Sequence, residues 1–162
     1  MIEGIEKPVG AGRTEEVKLD STAGHLLEEC RMVLPGIQAL FGFQLIAVYN
    51  ESFGEKLKPD EQALHFVALV LVALAAGLVM APAAIHRRTQ QRRISERFIW
   101  LSSRLLLYSM LPLALGLSLD LYLIARLIFE SSAAAIAFGV ALFLVLAALW
   151  YGLPTWERHR QG

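Results

Sequence analysis

The sequence predicts an all-α fold: an integral membrane four-helix bundle with both termini cytoplasmic and a short interfacial helix ahead of the first span. Two observations predict it. The 162 residues are 56% hydrophobic with a mean hydropathy of +0.50 and no formal net charge, more apolar than an ordinary soluble domain. The 19% of charged residues gather in an N-terminal segment, two loops and a short tail. They leave neutral runs that can each cross a hydrocarbon core of roughly 30 Å at about 1.5 Å per helical residue.

Those runs lie at about residues 31–50, 62–85, 99–127 and 132–153. They fill a transmembrane domain of residues 20–155, between a mobile cytoplasmic arm of residues 1–19 and a cytoplasmic tail of residues 156–162. Ahead of the first span, Asp20-Ser21-Thr22 offers caps for a helix, and Leu26 to Cys30 reads as an interfacial lead-in continuous with that span. The first thirty residues lack the apolar core of a cleavable signal. Cys30 is the only cysteine, which excludes an intrachain disulfide.

Orientation follows from lysine and arginine. Arg87, Arg88, Arg92, Arg93 and Arg97 crowd the loop between the second and third spans, whereas acids outnumber Lys56 and Lys58 in the first loop. The positive-inside rule then places both ends of the chain in the cytoplasm, as an even number of spans requires. Pro59 with Asp60 and Glu61 suits the start of the second helix, and His86, Arg87 and Arg88 suit its end. Small residues recur every four positions at Ala73, Gly77 and Ala81 and at Ala133, Ala137 and Ala141, with Ala135 and Gly139 beside the latter. Such stripes let helices approach closely in lipid and are expected to pack within the chain.

Polar groups inside the spans are the candidates for function. Arg31, Pro35, Gln38, Gly42, Leu45 and Tyr49 fall on one face of the first helix at steps of three or four, a face expected to turn toward neighbouring helices. Gln44 lies on a different face. Asp120 stands well inside the third span, where insertion scales put an aspartate at about 2.5–3.5 kcal/mol unfavourable at mid-membrane, so it needs a partner, a cavity or a proton. Gln44, at nearly the same depth, can supply a hydrogen bond, and His65 is a second neighbour on the next helix. Gln38, Gln44, His65 and Asp120 thus make a candidate path for protons or small cations, with Asp120 as the exchangeable carboxylate. Arg31, Pro35, Pro82, His86, Arg104 and Pro112 are structural or gating candidates. Pro112 frees the carbonyl of Tyr108, and Arg104 is expected to pair with Glu28 or Glu29.

Other chemistries find less support. The four histidines have no metal-ligand spacing, and no nucleophile elbow, phosphate loop or dinucleotide fingerprint appears, so neither an enzyme nor a cofactor is expected. The RRTQQRR cluster sits beside a membrane, where topology and anionic lipid at Arg87, Arg88, Arg92 and Arg93 account for it better than nucleic acid.

The blocks ECRMVLPGIQALFGFQLIAVYNESF and HFVALVLVALAAGLVMAPAAIHRR resemble a family of small bacterial membrane proteins of unknown function, some automatically labelled sodium:proton antiporters. The shared features are carried here by Arg31, Gln38, Gln44, Pro82, His86 and Arg87. The resemblance implies a multi-pass fold in a bacterial inner membrane. It brings no catalytic motif that can be laid on these residues. No duplicated half of the kind exchangers commonly use is evident. The sequence therefore leads to proton or small-cation movement through the Asp120 carboxylate in an oligomer, with a non-transporting scaffold or accessory subunit, binding partner proteins or anionic lipid, as the alternative.

Overall fold

A computed structural model describes residues 9–89 and 96–152 of the chain, which are helical apart from short connections. Helix α1 runs Val9–Val48, α2 is a single turn at Ser52–Lys56, α3 runs Pro59–Thr89, α4 Glu96–Phe129 and α5 Ser132–Ala147, closing in a π-helical turn at Ala148–Gly152. Four helices are long and apolar enough to cross a membrane: α1, α3, α4, and α5 with its π-turn. This is a multi-pass membrane protein. Its surface says so directly, since Met32 and Phe43 are each 71% exposed and large apolar side chains stand outward along all four spans, an arrangement that oil stabilises and water does not.

Prolines do not break the spans. Pro35, Pro82 and Pro112 all lie inside continuous helices. At the start of α3, Pro59 occupies the first helical position, where its missing amide costs nothing. Glu61, two residues on, accepts from the backbone N–H of Lys58 at 3.0 Å, the reciprocal half of a capping box. The turn from α4 to α5 is two residues long. Glu130 takes a left-handed conformation (φ 51°) and Ser131 accepts from the amide of Ala134 at 3.4 Å, which sends α5 back along α4.

The helices meet along a 3.5-residue seam. On α1 the buried residues are Ala23, Cys30, Ile37 and Gln44, at steps of seven; on α3 they are Glu61, His65, Ala68, Val72, Ala75, Val79 and Pro82, at steps of four and three. This is the spacing at which side chains of one helix keep facing a neighbour. Cys30, Ile37, Val72, Val79 and Leu106 form the apolar centre where α1, α3 and α4 converge. Helix α4 is the hub: α3 and α5 both pack on it, and α1 lies against α3 and α4.

Several expectations are corrected here. The lead-in Leu26 to Cys30 is continuous with the first span as expected, but α1 is unbroken from Val9 to Val48 and so takes in eleven residues of the segment read as an arm. Asp20-Ser21-Thr22 accordingly caps no start; Thr22 Oγ1 donates to the carbonyl of Lys18 one turn back. Ala73 and Gly77, and Ala133, Ala137 and Ala141, are exposed and not packed within the chain, whereas Ala81 is half-buried and Ala135 and Gly139 beside the second stripe are buried as expected. Close approach is made at two glycines. A Cβ on Gly116 would stand 2.8 Å from Val72 Cγ2, and one on Gly139 would stand 3.1 Å from the Ser118 carbonyl oxygen. Residues 1–8, the cluster containing Arg92 and Arg93, and the tail from residue 153 lie outside the described residues.

Candidate functional site

At the end of the bundle opposite the arginine-rich loop, α1, α3 and α4 bring three polar side chains together. Gln44 is buried because it is the last residue of the seven-step seam of α1, and His65 because it belongs to the seam of α3. Asp120 is one helical turn beyond Gly116, where α4 lies close against Ala68 and Val72 of α3. Gln44 Nε2 donates to Asp120 Oδ2 at 2.6 Å. His65 Nε2 lies 3.0 Å from the backbone carbonyl of Gln44, and its Nδ1 lies 3.7 Å from Asp120 Oδ1.

One contact fixes a proton. A carbonyl oxygen only accepts, so Nε2 of His65 must carry hydrogen and donate. A proton on either Nδ1 or Asp120 would remove the repulsion between the Nδ1 lone pair and an ionised carboxylate, and would leave the trio without net charge inside the span. Gln44 serves both forms. Its amide donates to the carboxylate, and with the amide turned over its oxygen accepts from a protonated acid within the same envelope. In the orientation described, that oxygen is buried without a partner.

Asp120 does not face a dry contact. It borders a partly open cavity of about 640 Å³. Leu40 and Phe43 of α1, Leu117, Leu121 and Ile124 of α4, and Leu142 of α5 form its apolar walls. Helix α2 closes one end with Phe53, whose ring meets that of His65 edge-on at 5.3 Å, and places Lys56 at the mouth. On the arginine-loop side of the trio the bundle is packed apolar: Val72, Ala75 and Val79 are essentially fully buried.

The other residues singled out in the sequence separate from this cluster. Gln38 is exposed on the outside of α1 together with Arg31 and Pro35, which corrects the expectation that this face turns inward; the seam through Ile37 and Gln44 leaves Gln38 one residue, about 100° around the helix, to the side. Arg104 lies 4.4 Å over the Trp100 ring and donates to the Tyr108 hydroxyl at 3.5 Å, and among the described residues it makes no ion pair with Glu28 or Glu29. Pro82 is buried in the α3 seam, and the His86 ring meets Phe98 at 5.7 Å, tying the end of α3 to the start of α4. Pro112 is buried on α4. Arg87 and Arg88 are exposed.

One ion pair was not foreseen. Arg126 Nε lies 3.4 Å from Glu61 Oε1, so Arg126 joins α4 to α3. The signal was limited: Glu61 stands four residues before His65, hence on the same face of α3, and Arg126 falls near the end of the third apolar run. No three His, Cys, Asp or Glu side chains group as a metal site among the described residues.

The chain belongs to a family of unknown function, DUF6328. The family's match spans residues 12–154, and so includes all four apolar helices and the whole Gln44–His65–Asp120 cluster. No curated protein and no solved structure matches.

Proposed function

We propose that this DUF6328 protein moves protons across the membrane in exchange for a cation, with Asp120 as the exchanging group and no chemical step of an enzyme. The observation that supports the reading is the carboxylate itself: held by Gln44 at 2.6 Å, with His65 Nδ1 3.7 Å away, and open to a cavity. A purely structural hydrogen bond needs neither the histidine nor the opening. With the termini cytoplasmic and the arginine loop inside, the cavity loads from the outer side of a bacterial inner membrane and the packed block around Val72 and Val79 closes the inner side.

Purified protein in liposomes, with a pH-sensitive dye inside and gradients of sodium, potassium and an organic ammonium imposed in turn, tests this. The expected result is proton movement driven by at least one of these gradients in the parent and abolished in Asp120→Asn of unchanged folded content. Absence of proton movement in the parent under all three overturns it.

A second reading has its own observation. Gln38 presents an amide outward from the middle of a span, where lipid offers it no hydrogen bond, and Ala73 and Gly77 form an exposed small-residue face on α3. Both fit a homo-oligomer in which these faces meet other copies, and a scaffold needs no more than that. Exposed Arg87 and Arg88 fit anionic lipid headgroups at the inner surface. Light scattering of the detergent-solubilised protein gives the oligomer number, and Gln38→Leu is expected to lower it.

A further inference from the structure

The cavity beside Asp120 has the shape and lining of a ligand site, and its chemistry narrows the ligand. Its volume of about 640 Å³ falls within the range of pockets that take drug-sized molecules, far more than a single ion fills. Hard inorganic cations are held by several oxygen ligands that replace their hydration shell. Here the side-chain oxygens offered are those of Asp120, of the buried Gln44 and of Asn50, fewer than a hard cation's shell, while Leu40, Leu117, Leu121 and Leu142 offer hydrocarbon. Phe43, on the same wall, adds an aromatic face, which attracts a weakly hydrated cation.

We infer that the cavity binds a lipophilic organic cation, an amine or quaternary ammonium or phosphonium with an apolar body, whose charge pairs with the Asp120 carboxylate in place of the proton shared with His65. This rests on the exchange reading and names its substrate class. The balance is one for one. On this reading the resting trio holds one exchangeable proton and no net charge; a monovalent cation entering leaves Asp120 ionised and His65 neutral, and one proton departs to solvent. The trio alone is then −1, and the trio with its bound cation is uncharged, so neither state loads a net charge into the span. The other charged groups at this end do not supply the counter-charge. Glu61 is taken by Arg126, and Lys56 is an exposed cation at the mouth, where solvent screens it.

Equilibrium binding of tetraphenylphosphonium to the detergent-purified full chain, alongside the uncharged tetraphenylmethane, tests the inference, with proton release followed by a pH dye in weak buffer. The expected result is saturable binding of the phosphonium, release of about one proton per cation bound, and loss of at least about tenfold in affinity in Asp120→Asn. Leu142→Trp fills the cavity from α5 without touching the trio and is expected to weaken phosphonium binding while leaving the Gln44–Asp120 contact in place. Equal binding of the neutral compound, full binding by Asp120→Asn, or binding without proton release would each overturn the inference. Failure here leaves the exchange reading standing if sodium or potassium drives Asp120-dependent flux in liposomes. Phosphonium binding without any flux in liposomes would instead remove the exchange reading and retain the site.

Discussion

Replacing Gly116 by alanine tests the contact on which the site's geometry rests. The new Cβ would stand 2.8 Å from Val72 Cγ2 and 3.2 Å from the Ala68 carbonyl oxygen, whereas carbon atoms settle at about 3.5–4.0 Å. Val72 cannot swing away, because a β-branched side chain in a helix has one strongly preferred rotamer and Val72 is 0% exposed. Helix α3 must therefore retreat from α4 by something near an ångström, at about 1–3 kcal/mol for overpacking. Alanine also gains about 1 kcal/mol of helix propensity over glycine, which would mask part of the loss. Gly77→Ala supplies the control, for a Cβ there meets nothing within 4 Å, so the difference between the two variants cancels the propensity gain. Unfolding in mixed micelles, followed by tryptophan fluorescence, should place Gly116→Ala about 1–3 kcal/mol below Gly77→Ala. The retreat also separates His65 from Asp120 one turn away, so proton release should weaken in the same variant. Equal stability of the two would refute the packing argument.

Three further outcomes follow from single contacts. Glu61→Ala removes both the partner of Arg126 and the cap on the Lys58 amide, and is expected to cost about 1–2 kcal/mol, reduced from a fully buried pair because both side chains keep some solvent; in a double-mutant cycle with Arg126→Met the losses should be less than additive. Glu130→Gly relieves the left-handed backbone at the end of α4 and should raise stability by about 0.5–1 kcal/mol in the same unfolding assay. Cys30 is buried in the α1–α3–α4 centre, so maleimide should label it about tenfold or more slowly than Thr22→Cys in a Cys30→Ser chain, since modification must wait for local opening; comparable rates would place α1 elsewhere.

The spans were legible because length and apolarity alone define them. The face each span buries was not. On α3 the exposed Val70 and Leu74 are as apolar as the buried Val72 and Val79, since lipid accepts what the core accepts, and composition around the helix therefore carries no inside-outside signal. That is why Gln38 was placed inward with Pro35 and Gly42, although the seam passes through Ile37. Gln44 and Asp120 could be paired from sequence because depth, unlike face, is countable from the helix ends. The charges at the far end were visible too, but their pairing depends on α3 lying beside α4, which places Arg126 Nε 3.4 Å from Glu61 Oε1; the same two helices lie close at Gly116.

That same closeness decides which walls of the cavity can move. Helices α3 and α4 are locked by Gly116 against Val72 and by the Glu61–Arg126 pair, and they hold His65 and Asp120 at a fixed separation. The side walls come from α1 and α5, and α5 is held chiefly on α4, through Gly139 against Ser118 and Tyr122 and through the Tyr151 hydroxyl on the Leu107 carbonyl at 2.9 Å. Helix α5 supplies none of the contacts among Gln44, His65 and Asp120, so on the exchange reading proposed above a shift of α5 would alter the cavity without breaking them. Gln44 is the exception, since it rides on α1 and its own backbone carbonyl holds His65. A displacement of α1 would break both of its contacts to the trio together, so the wall carried by α1 is coupled to the state of the carboxylate and the wall carried by α5 is not. Cross-linking the two walls separately distinguishes them: tethering α5 to α4 should limit which cations enter while sparing proton release by a small one, and tethering α1 to α3 should suppress proton release whatever the cation.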